Sequence, residues 1–195
     1  MLKLYITNLS AYNNGFLVGE WVTLPLSGKE LYLAIQQVLN EGEYLCQSDS
    51  IHEEIFITDY EWMGLELFNV SEYDSPWDVN DDVGKVLELS ESKQKAVAFL
   101  LSQQITYDVD DAIGKADDVI IHENQTLEDV AYYLLQECYE LDKLPPIIAN
   151  NIDYEGVARE LDCDGNYFEV DGDVFEYCGV KKVRAQCTKG HILSL

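Results

Sequence analysis

Carboxylates are the residues of this sequence whose number and spacing could do chemistry. The chain of 195 residues has 37 Asp and Glu against 12 Lys and Arg, which gives a formal net charge of −25 at pH 7. Carboxylates can bind cations, exchange protons as an acid and base pair, or present a negative surface to a basic partner. Because like charges at this density repel one another in a folded chain, we expect the charge itself to serve the function.

Calcium binding is the first of these uses to consider. The stretches DVDDAIG at 108–114 and DCDGN at 162–166 place several carboxylates together, as calcium-binding loops do. An EF-hand loop, however, needs Gly at its sixth position and Glu at its twelfth. The two stretches have Gly at the seventh and fourth positions, and Val119 or Asp173 at the twelfth. We therefore expect no calcium site of this type.

Catalytic patterns are also missing from the sequence. The five cysteines are irregularly spaced and form no Cys-x-x-Cys pair, and no Gly-rich phosphate loop is present. Adjacent carboxylates are so frequent that none can be assigned as an acid and base pair. His52 and His122 lie beside predicted strands, where a structural role is commoner than a catalytic one. We expect no enzyme activity, no catalytic residue, no cofactor and no metal.

Direct binding of nucleic acid is disfavoured because the body of the chain has few positive side chains. Residues 1–180 hold all 37 acidic residues but 8 of the 12 basic ones. Proteins that bind nucleic acid neutralise its phosphates with clustered Lys and Arg. The reversed sign suggests that the protein stands in for nucleic acid. Carboxylates three or four residues apart on a helix lie about 5 to 6 Å apart and can approximate successive phosphates.

The acidic composition is also compatible with two further classes of protein. An acidic protein can bind multivalent cations, or it can be a structural protein adapted to high salt. Salt adaptation needs only a general acidic bias, although the predominance of Lys among the basic residues and the many large aromatics fit it poorly. An acidic cation-binding or salt-adapted structural protein is therefore the alternative interpretation.

The hydrophobic pattern predicts a cytoplasmic α+β protein of three small modules. No apolar run approaches the roughly 20 residues of a membrane helix, and MLKLYITNLS lacks the apolar core of a signal peptide. Runs of predicted strands and helices separate into short blocks, as in α+β folds. We expect an N-terminal α+β module at 1–60, an acidic helical module at 61–115, a C-terminal α+β module at 116–179 and a loosely ordered basic tail at 180–195.

The N-terminal module is predicted to contain three strands and one helix. The strand patterns cover residues 2–8, 16–24 and 53–60, the second with a Gly that could form a bulge, and AYNNG at 11–15 predicts a turn. Ser27 and Glu30 form a capping box for a helix that should end near Asn40 and Gly42.

The middle module is predicted to be helical, with a negative outer surface. Ser75 and Pro76 start one helix whose buried side should include Trp77, and Ser90 caps the next. A third, shorter helix is expected within 106–117. The acidic residues of this module cluster in two groups, which are Asp78, Asp81 and Asp82, and Asp108, Asp110 and Asp111.

The C-terminal module is predicted to combine a strand, two helices and a hairpin. The strand covers 118–122, and Thr126 caps a helix together with Asp129. The apolar stripe of this helix comprises Leu127, Val130, Ala131, Leu134, Leu135 and Cys138. A second helix should follow from Asp153. Asp171-Gly172 predicts a tight turn with Phe168 opposite Phe175.

Four stretches of the chain together resemble a known family. They are YITNLSAYNNGFLVGEWVTLP at 5–25, EEIFITDYE at 53–61, DDVIIHEN at 117–124 and LPPIIANNIDYEGVARELDCDGNYFEVDGDVFEY at 144–177. These stretches are similar to the ArdA antirestriction proteins, and the resemblance covers roughly residues 1–178. It is strongest at the two ends, while the middle module is matched in character more than in residues.

The resemblance implies an elongated, curved protein that forms a homodimer through its C-terminal module and mimics bent B-form DNA. Such a protein occupies the DNA-binding groove of type I restriction-modification enzymes, does no chemistry itself and protects incoming mobile DNA. The antirestriction motif of the family looks similar to AYYLLQECYELDKLPP at 131–146, and it is associated with the dimer interface. The expected partners are therefore the restriction enzyme and a second copy of the chain, with no direct binding of nucleic acid or membrane.

Two sets of site residues follow from the charge pattern and this resemblance. The predicted phosphate-mimic surface comprises Asp78, Asp81, Asp82, Glu88, Asp108, Asp110, Asp111, Asp117, Asp118, Glu128, Asp129, Glu137, Glu140, Asp142, Glu155 and Glu160. The predicted dimer interface comprises Leu134, Leu135, Tyr139 and Leu144, with packing in the core as the alternative. The tail departs from the family pattern, because it holds four basic residues and no acidic one, namely Lys181, Lys182, Arg184 and Lys189.

Overall fold

The computed structural model describes residues 1–46, 51–139 and 141–179. The chain divides into two compact units, Met1–Ile113 and Gly114–Leu195. Each unit combines helices with a three-stranded antiparallel sheet. The predicted α+β class is therefore confirmed. The basic tail lies outside the described residues.

The first unit is built from a small sheet and the helices around it. Its strands are β1 (Leu2–Asn8), β2 (Gly19–Leu24) and β3 (Ile55–Trp62). Its helices are α1 (Leu9–Asn13), α2 (Gly28–Cys46), α3 (Pro76–Leu87), α4 (Glu91–Ser102) and α5 (Val109–Lys115), and the division between the units falls within α5.

The sheet of the first unit has the order β2-β1-β3, with both pairs antiparallel. Alternate residues of β1, namely Leu2, Leu4 and Ile6, point to one face of the sheet and are fully buried. Leu31 and Ile35 of α2 belong to the same hydrophobic cluster, and so do Val79 and Val83 of α3. The core therefore joins α3, from the predicted middle module, to the sheet of the predicted N-terminal module.

Helix α2 begins as predicted but is longer than predicted. The Ser27 N–H donates to Oε2 of Glu30 at 3.0 Å, and the Glu30 N–H donates to Ser27 Oγ at 3.3 Å, so the capping box is confirmed. The helix continues past Gly42 to Cys46 because Gly42 is a packing position and not a helix end. Gly42 is buried against the side-chain amide of Asn8, where a Cβ would collide.

The segment between β1 and β2 corrects two further predictions. Residues 9–13 form one helical turn, because Oδ1 of Asn8 caps it by accepting from the Ala11 N–H at 2.9 Å. Of the turn predicted at 11–15, Asn14 and Gly15 remain a turn, with φ of 85° at Gly15. Strand β2 begins at Gly19 and not at residue 16. The Gly19 Cα approaches the Ile6 carbonyl closely, since a Cβ there would lie 2.6 Å from that oxygen. The register shift of the sheet lies in the β1–β3 pairing.

Helix α3 is fixed to the first unit by a residue that the sequence pattern does not mark. Asn80 is buried, its Oδ1 accepts from the Leu26 N–H at 2.7 Å, and its Nδ2 donates to the Leu26 carbonyl at 3.0 Å. Trp77, which was predicted to be buried, is 40% exposed. The buried side of α3 consists instead of Val79, Asn80, Val83 and Val86 together with Pro76.

The second unit packs two helices against one face of its sheet. Its elements are β4 (Val119–His122), α6 (Leu127–Tyr139), α7 (Pro146–Ala149), α8 (Tyr154–Cys163), β5 (Tyr167–Val170) and β6 (Asp173–Tyr177). The strand order is β4-β6-β5. Val130 and Ala131 of α6, Ala158 and Leu161 of α8, and Val174 of β6 form its core. The short helix α7 was not predicted.

The local signals of the second unit are confirmed. The Thr126 N–H donates to Oδ2 of Asp129 at 2.9 Å, and Asp153 caps α8 by accepting from the Gly156 N–H at 2.8 Å. Phe168 pairs with Phe175 across the hairpin. Asp171 and Gly172 both have positive φ, at 51° and 86°, as a tight hairpin turn between twisted strands requires. Within the described part of the chain, no helix is long and apolar enough to cross a membrane.

Candidate acidic interaction surface

The two predicted acidic clusters of the first unit are brought together in space. Lys85 of α3 donates from Nζ to Asp110 of α5, at 2.8 Å to Oδ1 and 3.0 Å to Oδ2. The same Nζ donates to Oδ1 of Asp82 at 3.2 Å. Carboxylates from α3 and α5, which are separated by 25 residues or more along the chain, therefore meet around one ammonium group. We call Asp78, Asp81, Asp82, Asp108, Asp110 and Asp111 the α3/α5 acidic surface.

Asp82 shows that the charges of this surface act on one another. Burial raises the pKa of the Asp82 carboxyl above its ordinary value, and the neighbouring carboxylates of Asp110 and Asp108 raise it further. The hydrogen bond and the positive charge of Lys85 oppose this rise. In return, the bonds to Asp110 and Asp82 raise the pKa of the Lys85 ammonium. Lys85 therefore stabilises the ionised form of a surface that repels itself.

A groove of about 460 Å³ opens beside this surface. Its walls include Asp78, Asp82 and Asp108, and also Glu66 and Asp74, which the sequence interpretation did not select. Asp74 lies just before the start of α3, where an acidic residue adjoins the predicted Ser75 cap, and this position could have marked it. Apolar side chains of Val79, Leu101 and Val109 line the groove as well.

Two carboxylates of the surface also shape the start of α5. Asp108 Oδ1 accepts from the Asp111 N–H at 2.8 Å, so it caps the first turn. Thr106, which is buried, donates from Oγ1 to Oδ2 of Asp111 at 2.6 Å. The stretch that resembled a calcium loop thus forms a capped helix. In contrast, Asp81 is exposed on α3 and is available to a partner.

In the second unit, acidic residues lie on the outer sides of α6 and α8. Glu128, Asp129 and Glu137 of α6 are exposed. The Asp129 carboxylate also completes the helix cap, and the hydrogen bonds from Thr126, first from its backbone and then from its hydroxyl, lower the pKa of the Asp129 carboxyl.

The acidic residues of α8 differ in how far a positive charge offsets them. Arg159 Nη1 donates to Oε1 of Glu155 at 2.7 Å, so a cation partly offsets the charge of that predicted phosphate mimic. Nη2 of Arg159 also lies 3.7 Å from Asp153. Glu160 is exposed on the same helix.

Most of the predicted phosphate mimics that the structure describes are exposed. Asp82 and Asp118 are half-buried, and the exposed ones are Asp78, Asp81, Glu88, Asp108, Asp110, Asp111, Asp117, Glu128, Asp129, Glu137, Glu155 and Glu160. Glu140 and the side chain of Asp142 lie outside the described residues.

The predicted interface residues occupy different environments. Leu134 packs against the core of the second unit. Leu135 and Leu144 are half-buried, and Tyr139 is exposed. Ile147 and Ile148 of α7 are 77% and 52% exposed and were not selected from the sequence. They follow directly after the Pro145-Pro146 pair, which marks the end of the predicted motif.

Two of the three histidines, His52 and His122, make local contacts within their own units. His52 Nδ1 lies 3.0 Å from Oδ1 of Asn8, and His122 Nε2 lies 3.5 Å from Oε2 of Glu176. Among the residues that the structure describes, no group of three or more His, Cys, Asp or Glu is arranged to hold a metal ion. These contacts fit the structural role that was predicted for both side chains.

Comparison with known proteins identifies the family of the chain. A family model described as Antirestriction protein (ArdA) matches residues 4–176. No curated protein matches the chain in sequence. The matched range includes all of both described sheets except Leu2, Lys3 and Tyr177, and it includes the helices that display the acidic residues, so it covers most of the chain. The protein belongs to the ArdA family of antirestriction proteins.

Proposed function

We propose that this protein mimics bent B-form DNA and occupies the DNA-binding groove of type I restriction-modification enzymes. Antirestriction is the function of its family. Occupation of the groove would keep the enzyme from incoming mobile DNA without any reaction on the protein itself. We place this action in the cytoplasm, where such an enzyme meets incoming DNA.

One observation supports this proposal most strongly, which is the convergence of α3 and α5 carboxylates into a single surface around Lys85. Asp78 and Asp82 lie one helical turn apart on α3, so their carboxylates follow one another at about 5 to 6 Å. Asp110 of α5 and Asp108, the residue just before that helix, add a second group. The two groups of carboxylates would present negative charge to a basic groove, as the phosphates of the two DNA strands do.

Electrostatics explains why such a surface would compete with DNA. A groove lined with Lys and Arg attracts any surface of matching negative potential, and the attraction acts on association before contacts form. The net charge of −25 provides a long-range field of the required sign. Because the charge is distributed, no single carboxylate is essential, and several neighbouring carboxylates act together.

Self-association belongs to the same proposal. A homodimer through the C-terminal module at 116–179 would extend the acidic surface across two copies of the chain. The exposed side chains of Tyr139, Ile147 and Ile148 support this part of the proposal, because exposed large apolar side chains favour association. The division into three functional modules, 1–60, 61–115 and 116–179, stays a prediction.

Competition for a purified type I methyltransferase tests the proposal. Fluorescently labelled duplex DNA with the recognition sequence is bound to the enzyme, and the full chain is added while fluorescence anisotropy is followed. We expect displacement of the DNA, and we expect the protein to leave the anisotropy of free DNA unchanged. Failure to displace the DNA at any concentration up to saturation would overturn the proposal.

A calcium titration separates the proposal from the alternative of a cation-binding protein. Thermal unfolding is followed with and without calcium at constant ionic strength. We expect calcium to raise the midpoint temperature of unfolding no more than the same concentration of magnesium does, because both ions then act as general counterions. A large shift at micromolar calcium would favour the cation-binding alternative.

A further inference from the structure

Lys85 is a cation at the centre of the α3/α5 acidic surface. It is one of 12 basic residues in the chain, and it is 43% exposed on the same side as Asp82 and Asp110. If charge alone decided binding to a basic groove, Lys85 would weaken that binding. Its removal would then improve the inhibitor.

The hydrogen bonds of Lys85 point to a different role. One Nζ bonds both oxygens of Asp110 and one oxygen of Asp82, which uses the three donors of an ammonium group. The bonds link α3 to the short helix α5 through side chains that lie at the surface. Lys85 therefore fixes the distance between two carboxylates that would otherwise repel each other.

Removal of Lys85 would change both the geometry and the charge of these carboxylates. Asp82, Asp110 and Asp108 would face one another without the intervening cation, and the side-chain link between α3 and α5 would be lost. The hydrogen bond and positive charge of Lys85 now lower the pKa of the half-buried Asp82 carboxyl. Without them this pKa would rise further. The gain of one formal negative charge would be offset by the loss of the hydrogen bonds that hold these carboxylates in place.

We propose that Lys85 is a positioning residue of the inhibitory surface, which holds the α3 and α5 carboxylates at the spacing that a basic groove recognises. Loss of this positive charge therefore weakens inhibition although it makes the protein more negative. The inference rests on the proposed function, since it assumes that the α3/α5 acidic surface binds the groove.

Three variants of the full chain test this role in the anisotropy competition. Lys85→Met removes the ammonium group, Lys85→Arg keeps the charge and a fork that bonds two carboxylates, and Lys29→Met removes an equal charge from the exposed start of α2. We expect the inhibition constant of Lys85→Met to rise about threefold or more, the scale of one lost ion-pair network. We expect Lys85→Arg to restore inhibition and Lys29→Met to match wild type or bind more tightly.

Two readouts separate positioning from a loss of folding. Tryptophan fluorescence reports whether the first unit is folded, because Trp21, Trp62 and Trp77 all lie in it. NMR titration reports the pKa of the Asp82 carboxyl, which should rise in Lys85→Met but not in Lys29→Met. In an Asp110→Asn background, Lys85→Met should cost less, since the bond between the two residues is already weakened.

Each outcome of these measurements supports or overturns the positioning role. Weaker inhibition by folded Lys85→Met, with rescue by Lys85→Arg, supports it. Equal or tighter inhibition by Lys85→Met overturns it and leaves the proposed function intact. If wild-type protein does not displace DNA at all, the proposed function fails, and this inference fails with it.

Discussion

At the scale of single residues, the polar side chains of this protein divide into those that hold the fold and those that face outward. Asn80, Asp108 and Asp129 bond backbone groups of their own unit. Asp78 and Asp81, in contrast, are exposed on α3. Substitution of Asn80 should affect stability, and substitution of Asp78 or Asp81 should affect mainly binding. Substitution of Asp108 or Asp129 should affect both, because these exposed carboxylates also belong to the predicted phosphate-mimic surface.

Asn80 provides the clearest stability prediction. Asn80→Ala removes both hydrogen bonds to Leu26 and leaves the backbone N–H and carbonyl of Leu26 without these partners. We expect the free energy of unfolding of the first unit to fall by about 2 kcal/mol. Urea unfolding followed by tryptophan fluorescence measures this. Asn40→Ala, at an exposed position of α2, is the control and should be neutral or slightly stabilising because Ala favours helix.

Tyr167 predicts a loss of stability at alkaline pH. Burial, and then the charge of Glu176, raise the pKa of its phenol from 10.0 to about 12. The unfolded chain therefore loses this proton at lower pH than the folded chain does, so the contribution is present below pH 10 and is lost as pH rises toward 12. Tyr167→Phe should flatten the fall in stability over this range in urea unfolding followed by circular dichroism.

The control for the alkaline prediction is a tyrosine outside any packed site. Tyr107 is 83% exposed, so its ring contributes little to packing. Tyr107→Phe should leave the pH profile of stability as in wild type. Equal profiles for the Tyr167 variant and wild type would show that the phenol does not provide this dependence.

At the scale of elements, the sequence predicted the features that depend on contacts between neighbouring residues, such as helix caps and a hairpin. The capping pairs Ser27 with Glu30 and Thr126 with Asp129 were found from sequence, and so was the pairing of Phe168 with Phe175. Each depends on a few neighbouring residues with distinct chemistry. Helices α1 and α7 were missed because a single turn is too short to show a period of 3.6 residues.

Contacts between distant elements were beyond what the sequence pattern could predict. The exposure of Trp77 and the burial of Asn80 depend on how α3 meets β2 and the start of α2, which periodicity within α3 does not reveal. The meeting of Lys85 with Asp110 is of the same kind. The residue types of the acidic surface could therefore be predicted, whereas its arrangement could not.

Two serines that precede helices allow a matched test of capping. Ser27 bonds Glu30 at the start of α2, while Ser90 at the start of α4 makes no side-chain cap bond. We expect Ser27→Ala to lower the free energy of unfolding of the first unit by about 1 kcal/mol and Ser90→Ala to change it by much less. Urea unfolding with tryptophan fluorescence compares the two. Similar losses for both variants would show that the capping box does not stabilise the start of α2.

At the scale of the whole molecule, the charge is the property that the fold has to accommodate. Residues 1–180 hold all 37 carboxylates, and helices α3, α5, α6 and α8 display many of them outward. Small apolar clusters in each unit provide stability that offsets the repulsion between these charges. Under the proposed function, inhibition would act through the field of these charges and would be spread over a surface.

Removal of several neighbouring charges should weaken inhibition more than removal of scattered ones. The triple variant Asp78→Asn, Asp81→Asn and Glu88→Gln takes three exposed carboxylates from α3 and the residue that follows it. We expect its inhibition constant to rise about tenfold or more, while each single change costs about twofold. A control triple, Glu41→Gln, Glu43→Gln and Glu54→Gln, removes the same charge from other exposed positions and should have a smaller effect.

The salt dependence of the competition tests the proposed DNA mimicry most directly. If the carboxylates of the protein replace DNA phosphates in the groove of the enzyme, the binding must be electrostatic. The inhibition constant against DNA-bound methyltransferase is measured between about 0.05 and 0.2 M salt. We predict that affinity of the wild-type protein for the enzyme falls steeply as salt rises, and that the α3 triple variant shows a shallower fall than the control triple. Affinity that is independent of salt, and equal in the two triple variants, would contradict the mimicry.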